Sequence, residues 1–240
     1  MTKKINFINI SREIKNLANK EKALILQKFF KTGKGQYGEG DIFLGLTVPQ
    51  QRIIAKKYIA LDFKSLERLL KSKIHEFRLI ALLILVQKYQ ASDDLKEKGK
   101  IINFYLKNKA FINNWDLVDL SAPKILGDYL FFQKEGVKVL DKLAVSKNLW
   151  DKRIAMVSTY AFIIKGKSKE VLRIAKKLLA DKHDLIHKAS GWMLREVGKR
   201  VNRKILLDFL DENKDRMART ALRYAIEHLS EKERQSYLKR

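Results

Sequence analysis

Trp115 and Asp119 stand four residues apart in Trp115-Asp116-Leu117-Val118-Asp119, so a helix through this segment carries an indole and a carboxylate on one face. Such a pair is either a core tryptophan beside a surface aspartate paired to an arginine, or a ring and an anion presented together to a ligand. A second candidate lies in Lys188-Ala189-Ser190-Gly191-Trp192-Met193-Leu194-Arg195, where Lys188, Trp192 and Arg195 share a face by the same spacing. Cations flanking an aromatic suit a nucleic acid: the cations meet phosphates and the ring meets sugar or base. A half-buried ring with snorkelling neighbours gives the same pattern. Arg153, in Leu149-Trp150-Asp151-Lys152-Arg153, reads on its own as a structural ion-pair partner, and Trp150 reads as core. His183 and His187, beside Asp181 and Asp184, have the i, i+4 spacing of a metal pair but lack a further clustered ligand. A polar helix start is the plainer reading, and no metal is assigned.

Helices must hold these side chains. Apolar residues recur with helical period over 8–31, 49–60, 62–71, 75–90, 94–108, 112–131 and 134–146. The pattern continues over 149–164, 168–180, 184–199, 203–211, 217–228 and 230–239. Two prolines and 11 glycines in 240 residues favour helices over a many-turned β architecture, and 46% apolar content suffices for a core. The exception is Gly33-Lys34-Gly35-Gln36-Tyr37-Gly38-Glu39-Gly40-Asp41. It lacks the preceding strand and following Gly-Lys-Ser/Thr of a phosphate-binding loop and reads as a connector. It leads to Thr47-Val48-Pro49-Gln50, which has capping-box spacing.

A weak repeat is visible in Phe77-Arg78-Leu79-Ile80-Ala81, Arg153-Ile154-Ala155, His187-Lys188-Ala189 and Arg219-Thr220-Ala221. The last three recur about 32–34 residues apart. That is the period of paired-helix solenoids. The expected fold is an all-α solenoid of HEAT-like helical repeats, one domain over 1–240, with a basic stripe along a concave groove. Fifty-one Lys and Arg against 27 Asp and Glu give a formal charge of +24, which calls for a polyanionic partner: nucleic acid or an anionic membrane surface. A genome-wide lysine bias would colour the surface the same way. With no cysteine, disulfides, thiolate metal sites and cysteine nucleophiles are excluded. The opening MTKKINFINI is too short an apolar stretch for a signal peptide, and no run approaches a membrane span, so a soluble cytoplasmic protein is expected.

Four segments together resemble a known family. They are Phe43-Leu44-Gly45-Leu46-Thr47-Val48-Pro49, Trp115-Asp116-Leu117-Val118-Asp119, Asn148-Leu149-Trp150-Asp151-Lys152-Arg153 and Gly191-Trp192-Met193-Leu194-Arg195-Glu196. Their order and spacing, over nearly the whole chain, look like the signature of the HEAT-like-repeat DNA alkylation-repair glycosylases (AlkD type). The resemblance implies excision of positively charged N3- and N7-alkylated purines from duplex DNA, with Trp115, Asp119, Arg153 and Trp192 as the catalytic cluster. An alkylpurine cation leaves as a neutral base, so Asp119 would stabilise the oxocarbenium-like sugar and position a water. The indoles would hold the cationic nucleoside and Arg153 a phosphate. Further DNA contacts fall on Tyr37, Thr47, Lys188, Arg195, Arg219 and Arg223. The resemblance implies no cofactor, no obligate protein partner and a monomer. The alternatives are a noncatalytic binder of damaged or branched DNA, or a solenoid scaffold for acidic protein partners.

Overall fold

The computed structural model describes residues 5–133 and 136–239. The fold is all-helical, and its strand-like pairing among the described residues is a single parallel bridge between Ile42 and Ile74. The backbone divides into two compact units, Met1–Ser121 and Ala122–Arg240.

The first unit contains α1 (Phe7–Asn16), α2 (Lys20–Phe29), α3 (Val48–Lys57), α4 (Phe63–Leu70), α5 (His75–Ala91), α6 (Leu95–Lys107) and α7 (Trp115–Ser121). Every residue of α5 from His75 to Val86 is buried. A helix apolar on all sides must be surrounded, and α1, α3, α4, α6 and α7 all pack on it. By contrast, α2 buries no residue and leaves Leu24, Ile25 and Phe29 exposed. The single helix expected over 8–31 is two, because Asn19 interrupts it. Its side chain accepts the Lys22 N–H at 2.9 Å and caps α2, while its own N–H donates to the Leu44 carbonyl at 2.7 Å. This bond to a distant loop overrides a continuous local helical pattern. Likewise the helix expected from 112 starts at Trp115, whose N–H is accepted by the Asn114 side chain at 2.8 Å.

The second unit opens with a π-helical turn, Pro123–Gly127, as befits a proline that cannot supply the N–H of an ordinary helical bond. Then follow α8 (Asp128–Phe131), α9 (Val137–Ala144), α10 (Leu149–Ser158), α11 (Tyr160–Ile163), α12 (Lys169–Leu178), α13 (Asp184–Arg200), α14 (Arg203–Asn213), α15 (Arg219–Ala225) and α16 (Glu231–Leu238). Positions 134 and 135 of the helix expected over 134–146 lie outside the described residues. Here the repeat is plain: α9 pairs with α10 and α12 with α13, α9 touches α12, and α10, α13 and α15 pack in succession. Ion pairs tie one repeat to the next, among them Arg173–Asp141, Lys152–Asp181, Arg195–Glu227 and Lys176–Glu212, the last at 3.0 Å. α13 and α15 meet at Gly191, where a Cβ would lie 2.4 Å from the Ala221 carbonyl oxygen and 2.5 Å from the Tyr224 Cβ. Only glycine fits there. Gly191→Ala is therefore expected to lower unfolding stability by about 1–3 kcal/mol by forcing these helices apart. Gly99→Ala, in α6 with nothing within 4 Å of the new Cβ, should raise it by about 0.5–1 kcal/mol. Urea unfolding of both variants checks the pair.

Candidate nucleic-acid site

In the first unit the site is built around the start of α7. Trp115 is half-buried, and its ring stacks on Phe30 with centroids 5.1 Å apart and planes 8° off parallel, while Phe29 meets it edge-on at 6.0 Å. Phe30 stacks in turn on Phe43 at 4.8 Å, and Phe43 on the His75 ring at 4.5 Å. The indole plane is thus set by a column of rings reaching into the core.

At the foot of that column His75 lies between two carboxylates. Its Nδ1 is 3.0 Å from Asp41 Oδ2 and its Nε2 is 2.8 Å from Asp116 Oδ2. Arg78 donates to the same Asp41 oxygen at 2.6 Å, and Asn114 donates to it at 3.2 Å. Burial works against a charged imidazole, but the Asp116 charge and the hydrogen bonds to Asp116 and Asp41 outweigh it and hold His75 above 6.5. Burial likewise opposes an ionised Asp41, yet the His75 hydrogen bond and the Arg78 guanidinium hold it below 3.8. The group reads as an imidazolium and a guanidinium matched to two carboxylates.

Glu76, next along α5, fixes the adjacent loop. Its carboxylate accepts the N–H groups of Leu44 at 2.9 Å, Gly45 at 2.8 Å and Leu46 at 3.3 Å. Gly45 sits at φ +88°, and a Cβ would lie 2.2 Å from the Asn19 carbonyl oxygen, so the loop tolerates no side chain there. Thr47 follows, exposed, with Gln50 Oε1 accepting its N–H at 2.8 Å and its hydroxyl at 2.9 Å, the return half of the expected capping box. Asp119 is half-buried one turn beyond Trp115 on α7. The buried Tyr105 phenol, 3.1 Å from Ser121 Oγ, is pushed up by burial and further by the Asp119 charge. Tyr37 is half-buried in the glycine-rich loop.

In the second unit Arg153 on α10 is 5% exposed and donates to the Leu185 carbonyl at 2.6 Å, at the start of α13. Trp192 on α13 is half-buried, 6.1 Å from the Tyr160 ring. Lys188 and Arg195 occupy the same helix. Lys188 pairs with Asp184 at 2.7 Å, and Arg195 with Glu227 and, at 3.2 Å, Glu196. On α15 Arg219 and Arg223 are exposed, and Arg219 donates to the Leu238 carbonyl at 2.7 Å. Of the basic residues at the repeat position, Arg78 and Arg153 are buried and engaged within the fold, whereas Lys188 is half-buried and Arg219 exposed. His183 caps α13 by accepting the Leu185 N–H at 3.1 Å, and His187 bonds the Asp181 carbonyl at 2.6 Å. Among the described residues no three His, Cys, Asp or Glu are grouped to hold a metal. Trp150 is buried core.

Sequence reasoning passed over Asp41, His75, Glu76, Asp116 and Phe30 as members of the site. One signal was available: the run after Arg78 is apolar on every face of its helix, so the charges heading that helix had to be buried and partnered.

Fold and site are those of a helical-repeat protein with an aromatic–carboxylate pair on one helix. Residues 10–229 match the model of the family described as DNA alkylation repair enzyme. The structure resembles that of a predicted DNA alkylation repair enzyme from Enterococcus faecalis, with TM-score 0.69 and 17% identity over 89% of this chain and 97% of that one. Among curated proteins none matches the sequence. The chain belongs to the DNA alkylation repair enzyme family.

The carboxylate–imidazolium group makes a pH-dependent prediction. His75→Leu leaves Asp41 and Asp116 without their shared cation and should cost about 3–5 kcal/mol. Because His75 is raised in the folded state, its contribution is complete below 6.5 and falls away as pH climbs through the folded value. The gap between parent and variant in urea unfolding should therefore be wider at about pH 6 than at about pH 9.

Proposed function

We propose that the protein is a DNA glycosylase, acting as a cytoplasmic monomer, that hydrolyses the N-glycosidic bond of N3- and N7-alkylated purines such as 3-methyladenine and 7-methylguanine in duplex DNA. The observation that carries this reading is the placement of Trp115 and Asp119, both half-buried, on one face of α7 in a chain of the DNA alkylation repair enzyme family. The substrate's base is already cationic and departs neutral without a proton from the enzyme. Positive charge then grows on the sugar, where a fixed carboxylate lowers the barrier and orients the attacking water. Asp119 takes that role. Trp115, its plane set by Phe30, and Trp192 provide π faces for the cationic nucleoside, worth about 0.5–2 kcal/mol each. Arg153, its rotamer fixed by the bond to Leu185, takes a phosphate beside the lesion. Tyr37, Thr47, Lys188, Arg195, Arg219 and Arg223 contribute sequence-independent backbone contacts.

Chromatography of bases released from methylated DNA tests the reaction. Asp119→Asn should slow release about 100-fold or more while changing DNA affinity by no more than about threefold. Excision at the parent rate by this variant would overturn the mechanism. Binding should be steeply salt-dependent, and Arg223→Ala should weaken it equally on all sequences and reduce the log–log salt slope by about 1. A sequence-dependent loss in filter-binding titrations would contradict a phosphate contact.

A further inference from the structure

Between α2 and the start of α3 the first unit holds a cavity of about 190 Å³. Its rim is exposed (Lys22, Ile25, Thr47, Val48), and buried Phe30, Phe43, Leu46 and Leu79 line the interior. A cavity of about 150 Å³ lined by Leu, Ile and Phe takes up benzene, so this one admits one ring or two fused ones.

The buried polar lining is mostly acceptor. Glu76 and Asp116 are hydrogen-bond acceptors, and both ring nitrogens of His75 are engaged by carboxylates. Gln51 donates through Nε2 to the Leu46 carbonyl at 3.0 Å, while its Oε1 is buried with no hydrogen-bond partner. A carboxylate has room for about four donors, and the Asp116 oxygens receive His75 and the Leu117 N–H. The interior therefore favours a ligand that brings N–H donors. The α2 wall buries no residue of its own and can shift to admit one.

We propose that this cavity binds a planar heteroaromatic amine of one or two rings, the class that includes the purine bases, with its faces against the phenylalanines and its N–H groups toward Gln51 and Asp116. The occupant is either a free base or a base still attached to a DNA strand.

The test is a titration of ¹³C-methyl-labelled full-length protein with adenine, benzamidinium and p-xylene. Adenine and benzamidinium should shift the Leu46 and Leu79 methyls, leave Leu206 of the second unit unmoved, and bind at least about tenfold more tightly than p-xylene. Absence of these shifts, or equal binding of p-xylene, overturns the proposal. Leu26→Trp fills the space from α2 and should weaken adenine at least about tenfold with little change in Tm, since Leu26 is only half-buried. Undiminished binding by a folded Leu26→Trp protein also overturns it. Fluorescence of 2-aminopurine, free or within a single-stranded oligonucleotide, tells the two sources apart, and binding of either supports the site. The readout is equilibrium binding, so a protein that excises nothing can still pass, and an active glycosylase can still fail.

Discussion

An imidazolium held between two carboxylates is an expensive thing to bury, and in the first unit three chain segments converge on one. Asp41 comes from the end of the glycine-rich loop, His75 and Arg78 from the first turn of α5, and Asp116 from the first turn of α7. Desolvating each ion costs several kcal/mol, and their mutual attraction returns that only with good geometry, so well-packed apolar residues would serve stability as well. What apolar residues would not supply is register. Asp116 is tied to one His75 nitrogen and Asp41 to the other, which fixes the rotation of α7 about its own axis. Trp115 and Asp119, one residue before and three after Asp116, are fixed with it. The aromatic column from Trp115 through Phe30 and Phe43 ends on the same imidazole, so ring plane and helix rotation share one anchor.

The large positive charge follows a different logic in the second unit. Many of its basic side chains staple one repeat to the next rather than face solvent alone: Lys152 to Asp181, Arg173 to Asp141, Arg195 to Glu227. The more exposed pairs of this kind contribute little to stability, commonly below about 1 kcal/mol. For the same reason they are cheap to exchange. In the proposed DNA contact a phosphate at Lys188 would take the place of the Asp184 carboxylate at small loss, whereas Arg78 sits in the core and is not exchangeable. Burial, more than position in the repeat, distinguishes Arg78 from Lys188 and Arg219.

The helices and their period were legible because local periodicity survives in any packed helical array. The boundaries were not legible where a distant group intervened. Asn19 breaks an apparently continuous helix through a bond to Leu44, and nothing local distinguishes it from Asn16 three residues earlier. The pairing of Trp115 with Asp119 could be read from spacing, as could the Thr47–Gln50 cap. The partners of Trp115 could not, since Phe30 lies far from it in sequence and the contact depends on the path of the intervening loop. Arg153 shows the limit most clearly: sequence marks it as a basic residue at a repeat position, but only the fold shows it buried against the Leu185 carbonyl.

The carboxyl groups carry a last piece of chemistry. A general acid at neutral pH needs a carboxyl raised toward the working pH by burial or like charge. Seven carboxyls are displaced downward: Asp41, Asp62, Glu67, Asp181, Asp184, Glu196 and Glu233, each by hydrogen bonds or nearby cations that outweigh desolvation. These seven are held ionised at neutral pH. That electrostatic setting is a handicap for removing an uncharged base, which must be protonated to leave. It is no handicap for a base that alkylation has already made cationic, because the remaining need is a stable anion beside the sugar. In the proposed chemistry such a setting suits lesions that bring their own leaving-group activation.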